Sequence, residues 1–148
     1  MATIDFLLLA NHAEVQNGLL YASGAGWSDL YLHPNPEGEL PPHRFAVGTG
    51  VLIPWDETNQ SHHLTVRVER EEDGTELTRA EGDIEVGRPP GLLVGAEQHV
   101  NFAITAEVAF PGQGTYRVVA EVDADARWVR FRVHDQSKQQ APRSAPTA

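Results

Sequence analysis

HVNFAITAEVAF, residues 99–110, decides the fold. Apolar Val100, Phe102, Ile104, Ala106, Val108 and Phe110 alternate with His99, Asn101, Thr105 and Glu107. A period of two over six apolar positions is the signature of a strand with one face buried. A helix would need an apolar stripe at a spacing of three and four.

The same sidedness recurs on either side of this segment. In residues 44–53, Phe45, Val47, Val51 and Ile53 share a face, with Gly48 and Gly50 on the other. In residues 62–70, Leu64, Val66 and Val68 point in while His63, Thr65, Arg67 and Glu69 point out. Turn residues join such runs into antiparallel pairs. Asn17-Gly18, between AEVQ and LLYA, and Asp73-Gly74, between LTVRVERE and TELTRAEG, both suit two-residue turns with positive φ. A third hairpin is expected around Asp123 to Asp125, with Tyr116, Val118, Ala120 and Val122 facing the core from one strand and Val129, Phe131 and Val133 from the other.

No window keeps a helical stripe, and one short helical turn at Pro54 to Asn59 is all the helix expected. Eight or so short strands predict an all-β protein, an antiparallel two-sheet sandwich over residues 1–134. IDFLLLA is apolar on both faces and belongs in the middle of a sheet or against its partner sheet. HPNPEGELPP, residues 33–42, reads as a proline-rich loop. The tail 135–148, with no large apolar side chain, is expected to be disordered.

Composition narrows the function classes. The 148 residues suit one domain, and the absence of cysteine excludes disulfides, thiolate zinc sites and cysteine nucleophiles. With 21 acidic against 11 basic residues the formal charge is −10, which repels nucleic acid backbones. The apolar run at the start is only Phe6 to Ala10, behind Asp5 and without a basic flank, so it does not read as a signal peptide. Nothing approaches the roughly 18 apolar residues of a membrane helix, and a soluble, cytoplasmic protein with no membrane partner is expected.

EVGRPPGLLVG, residues 85–95, is the stretch that most resembles a ligand loop. Pro89 and Pro90 remove two backbone donors and stiffen the step, so it cannot cradle an anion as a phosphate loop does. It reads instead as the crossover from one sheet to the other, with Arg88 free to touch a partner.

Among the seven histidines, His62 and His63 are adjacent and, on a strand, face opposite ways, so they cannot hold one ion together. A metal site would have to borrow His99 or His43 from another strand, and no local ligand spacing is present. No serine sits in a nucleophile elbow, and no pair of carboxylates has a visible cause for divergent pKa values. Neither a catalytic set nor a cofactor is therefore expected. Trp128 lies out of phase with Val129, Phe131 and Val133 and so on a non-core face, where tryptophan suits a partner contact. Trp27 and Trp55 suit core or rim packing, and Trp55 joins Trp128 and Arg88 as the candidate partner-binding residues.

Four ordered blocks, IDFLLLANHAEVQNGLLYASGAGW (4–27), VLIPWDETNQSHHLTVRVEREEDG (51–74), GDIEVGRPPGL (82–92) and PGQGTYRVVAEVD (111–123), resemble a bacterial family of small domains of unknown function. Asn11 and Ala25 depart from the family's usual acid and glycine. The resemblance implies an immunoglobulin-like sandwich, and Tyr116 after Gly114 is similar to a tyrosine corner, whose hydroxyl ties a strand end to the main chain. The function expected is a non-enzymatic module for protein–protein interaction or self-association. The alternative is a small-ligand or metal-binding sandwich using its histidines. A hydrolase or isomerase cleft would require several of Asp5, His12, Asp56, His62 and His99 to converge in a concave pocket.

Overall fold

The computed structural model describes residues 1–138, and the regular structure of the described chain is almost wholly strand. In chain order these are β1 (Thr3–Ala10), β2 (His12–Gln16), β3 (Leu19–Ser23), β4 (Asp29–Leu32), β5 (His43–Ile53), β6 (His62–Arg70), β7 (Glu76–Ile84), β8 (Gln98–Val108), β9 (Gly114–Val122) and β10 (Asp125–Asp135). Single 3-10 turns lie at Trp55–Glu57 and Gln136–Lys138, and no α-helix occurs among the described residues. None of the described helices is long and apolar enough to cross a membrane. β10 runs one residue past the expected domain boundary, and residues 139–148 of the expected disordered tail lie outside the described residues.

Three sheets form, in the orders β1-β5-β8, β4-β10-β9-β6-β7 and β2-β3. The alternation read in residues 99–110 is real: Ala106, Val108 and Phe110 are buried, and Val100, Phe102 and Ile104 pack against the same core. That core also takes Phe45, Val47, Val51 and Ile53 from β5, Leu64, Val66 and Val68 from β6, and the inward residues of β9 and β10. Both larger sheets thus bury their alternate faces in one apolar cluster, at about 1.5–3 kcal/mol for each large aliphatic or aromatic side chain removed from water. Trp27 meets Phe45 and Phe131 edge-on at ring-centroid distances of 5.6 and 5.8 Å. The Tyr116 hydroxyl donates to the Gly112 carbonyl at 2.6 Å, as the resemblance implied.

The sheets depart from the expected arrangement in four places. β4 pairs parallel with β10, so the five-stranded sheet is mixed rather than antiparallel. Its four residues are too few for periodicity to reveal, and the pairing is held by Arg132 and His134 of β10, both bonded to Asp29. β1 stands at the edge of its sheet and not in the middle, but it does pack against the partner sheet, the other place expected for it; both its faces are covered, with Ile4 and Leu9 in the shared core and Leu8 against β2-β3.

Asn17 and Gly18 do adopt positive φ, 51° and 78°, but the hairpin they close forms a separate layer on the outer face of the three-stranded sheet. Gly48 makes room for it, since a Cβ there would lie 2.8 Å from Leu20 Cδ2. The β6–β7 connection is longer than a two-residue turn: only Gly74 has positive φ, and the Gly74 N–H bonds the Arg70 carbonyl. The turn at Asp123 and Ala124 joins β9 to β10 as read, with Asp123 at φ 53° and Val122 opposite Asp125. Residues 85–97 do carry the chain from β7 in one sheet to β8 in the other.

Candidate functional site

Pro54 ends β5, and the 3-10 turn that follows presents Trp55 and Glu57 at one end of the molecule. Arg88, arriving on the stiff crossover, lies over the Trp55 ring at 3.9 Å. It donates from Nε to Thr58 Oγ1 and from a terminal nitrogen to the Trp55 carbonyl, both at 2.8 Å. The structure thus joins two of the three candidate contact residues across 33 positions of chain. Their mutual engagement gives Arg88 an internal task, fastening the crossover to the turn. Beyond it, Leu93 and Val94 stand 77 and 86% exposed at the tip of the loop, the two most exposed large apolar residues described.

Beneath that turn sits a cluster that the sequence reading missed. His62, 4% exposed, approaches Asp123 Oδ2 with Nδ1 at 3.0 Å and the Glu57 carbonyl with Nε2 at 3.1 Å. A carboxylate and a carbonyl only accept, so the two contacts are both satisfied when both ring nitrogens carry protons, the imidazolium form. Burial alone would push it toward the neutral form; the bonds to Glu57 and Asp123 outweigh burial and hold its pKa above the ordinary value. Asp123 Oδ2 also accepts the Ala2 N–H at 2.8 Å, and the Met1 ammonium pairs with Glu57. Glu57, His62 and Asp123 each place one possible ligand atom within 4.8 Å of the others. A search from His62 along the sequence leads to other histidines; the partners here are a carboxylate on a turn 61 residues away and another on a 3-10 turn.

Trp128 lies where its phase placed it, on the outer face of the five-stranded sheet, 48% exposed. Arg130 and Arg117 approach its ring at 5.2 and 5.8 Å. The face around it is laced with ion pairs. Glu69, buried, receives Arg117 at 2.6 Å and Arg67 at 3.0 Å, and Arg67 also reaches Glu121. Arg130 bonds Glu71 at 2.7 Å. Burial opposes ionisation of Glu69, and the bonds from Arg67 and Arg117 overcome it to lower its pKa. Further along β10, the Arg132 guanidinium and then His134 hold the Asp29 carboxyl well below the usual range. Tyr31, exposed, stacks on His134 at 4.7 Å.

Of the five residues from which a cleft enzyme would draw its set, Asp5 and His99 meet, at 3.0 Å. His62 turns instead to Glu57 and Asp123, and His63 to Asp83 on the opposite face of β6.

A family model described as a family of unknown function, DUF6941, matches residues 5–134, a span that takes in the motif blocks from Asp5 onward. No curated protein and no solved structure matches the chain.

Proposed function

Because the chain belongs to DUF6941, a family of unknown function, we propose its role from its own geometry: a non-enzymatic, immunoglobulin-like β-sandwich that binds another protein or a second copy of itself. One shared core between two sheets and the tyrosine-corner bond support the sandwich. Trp128 carries the binding role. A half-exposed tryptophan flanked by two guanidinium groups on the outer face of a sheet is the composition of an interface hot spot. The neighbouring ion pairs hold those arginines in place, which lowers the entropy lost when a partner arrives. The setting is taken as cytoplasmic, in line with the sequence.

Photo-crosslinking in the native host tests this. A crosslinker at position 128 is expected to give an adduct that the same group at exposed Gln16, on the far hairpin, does not. Light scattering on the purified chain then separates a foreign partner from a second copy. Equal labelling at both positions, with a monomer at all concentrations, overturns the reading.

A second reading, divalent-ion binding, has the Glu57, His62 and Asp123 cluster in its favour. The contact of Nε2 with the Glu57 carbonyl is the one that a metal-bound histidine makes through its other ring nitrogen. Binding would cost His62 its Nδ1 proton, so it would strengthen with pH. Elemental analysis and thermal shift with zinc decide it: no copurified ion and no shift at alkaline pH removes this reading.

A further inference from the structure

One side of the molecule is left open between the two large sheets. β7 ends one sheet and β8 ends the other, and among the described residues neither has a second strand neighbour. The core between them is not closed. β7 lies in register with β6 so that Thr78, Ala80 and Gly82 oppose Val68, Val66 and Leu64 and share their inward face. All three are small. Across from them β8 offers Phe102 and Ile104, which stay partly exposed. The result is a 160 Å³ cleft floored by Leu64 and Val66 and walled by Ala80, Gly82, Phe102 and Ile104. It continues into a 110 Å³ cleft that shares Val66, Ala80 and Ile104 and reaches Val68.

An apolar slot flanked by two strands with unpaired backbone groups is the geometry that accepts an added strand: main-chain bonds form at an edge, and alternate side chains fill the slot. Glycine inside a strand often marks where another chain approaches closely. Gly82 fits that role, since its φ is not positive and a Cβ there would meet nothing within 4 Å. Neither the turn geometry nor internal packing requires glycine at this position.

The rim chooses the occupant. Glu81 and Asp83 on β7 and Glu107 on β8 line it; the one arginine in the lining, Arg79, is held by Glu76 at 2.8 Å and Glu81 at 3.4 Å, while His63 stands against Asp83 and Glu81 at 2.8 and 3.6 Å and Arg44 lies 4.0 Å from Glu107. A second copy would bring the same carboxylates and a further charge of −10. The chain's own residues 139–148, QQAPRSAPTA, hold two prolines and no aliphatic side chain larger than alanine, so they suit neither the ladder nor the slot.

We propose that the β7–β8 side takes up an extended segment of another protein, with valine-like residues at alternate positions and lysine or arginine between or beside them. This site is separate from the Trp128 face and does not depend on it.

The test uses a nine-residue peptide, the length of β7, that alternates valine with lysine and threonine. Its control keeps the charges and replaces two valines by proline. The full chain is expected to bind the first saturably and the second at least about tenfold more weakly, a loss of about 1.4 kcal/mol. Gly82→Val fills the slot and weakens binding by a similar factor, without loss of thermal stability. Trp128→Ala leaves it unchanged. The double variant Glu81→Lys with Asp83→Lys, at positions 48 and 70% exposed, also weakens it and guards against a misfolded Gly82 variant. Absence of binding by the wild type, equal binding by the proline control, or equal binding by Gly82→Val overturns the proposal. So does a dimer in light scattering that Gly82→Val dissolves, which would place a second copy in the slot.

Discussion

His62→Leu separates a buried charge from an ordinary buried side chain. Leucine matches the imidazole roughly in volume, so packing is largely kept while both ring bonds are lost. The bond to Asp123 joins two charges and is worth about 1.5–3 kcal/mol; the bond to the Glu57 carbonyl adds about 1 kcal/mol. Part of this returns when His62 is no longer desolvated, and Asp123 keeps its bond from Ala2. The net cost in acid is about 2–3 kcal/mol.

The pH dependence carries the sharper prediction. The folded-state pKa of His62 lies above its unfolded value, so its contribution is complete below about pH 6.5 and is lost as pH climbs through the folded value. Leucine does not titrate. The stability gap between wild type and variant should therefore shrink toward alkaline pH, by about 1.4 kcal/mol for each unit by which the fold raises the pKa. Urea unfolding followed by tryptophan fluorescence, at about pH 5.5 and about pH 9, measures that gap when the two slopes agree. A gap that is constant, or that widens with pH, would show a neutral His62 and refute the two-acceptor argument.

Three further outcomes follow from the packing. Tyr116→Phe keeps the ring against Phe110 and Phe131 but deletes the hydroxyl bonded to Gly112, and should cost about 1 kcal/mol by the same unfolding measurement. Gly50→Ala places a Cβ 2.3 Å from Phe6 and 2.9 Å from His99, so those rings must shift at a cost of about 1–3 kcal/mol, whereas Gly82→Ala, with open space, should be neutral or slightly stabilising in a thermal melt. Glu69→Gln should destabilise by about 1–2 kcal/mol at neutral pH, because its carboxylate holds two guanidinium groups. The lowered pKa of Glu69 means its contribution is present above about pH 4.5 and vanishes as pH falls through the folded value, so wild type and variant should converge in acid.

What the sequence made legible was whatever repeats locally. The alternation in β5, β6 and β8 reports burial directly, and Asn17-Gly18 names its turn because few residues accept positive φ twice. Short or doubly covered elements escape that logic. β4 has too few residues to show a period, and β1 is apolar on both sides because a hairpin covers its back, which looks in sequence like a central strand. Trp128 was placed by phase alone. The meeting of Arg88 with Trp55 and of His62 with Asp123 depends on which loops share an end of the sandwich, and no local pattern encodes that. One signal was present: a histidine facing inward at the start of an otherwise aliphatic strand needs polar partners, and turn carboxylates are the nearest supply.

The bonds from the Ala2 and Ile4 amides to Asp123 and Asp125 each span 121 residues. During translation β1 leaves the ribosome 121 residues ahead of the turn that receives it. At roughly 5–20 residues per second, that leaves FLLLA without its final cover for something like 6–24 seconds. β5 can shield one edge of it early; the facing sheet is not complete until β9 and β10 emerge. The segment that anchors the finished core is thus a natural target for chaperones while the chain is being made.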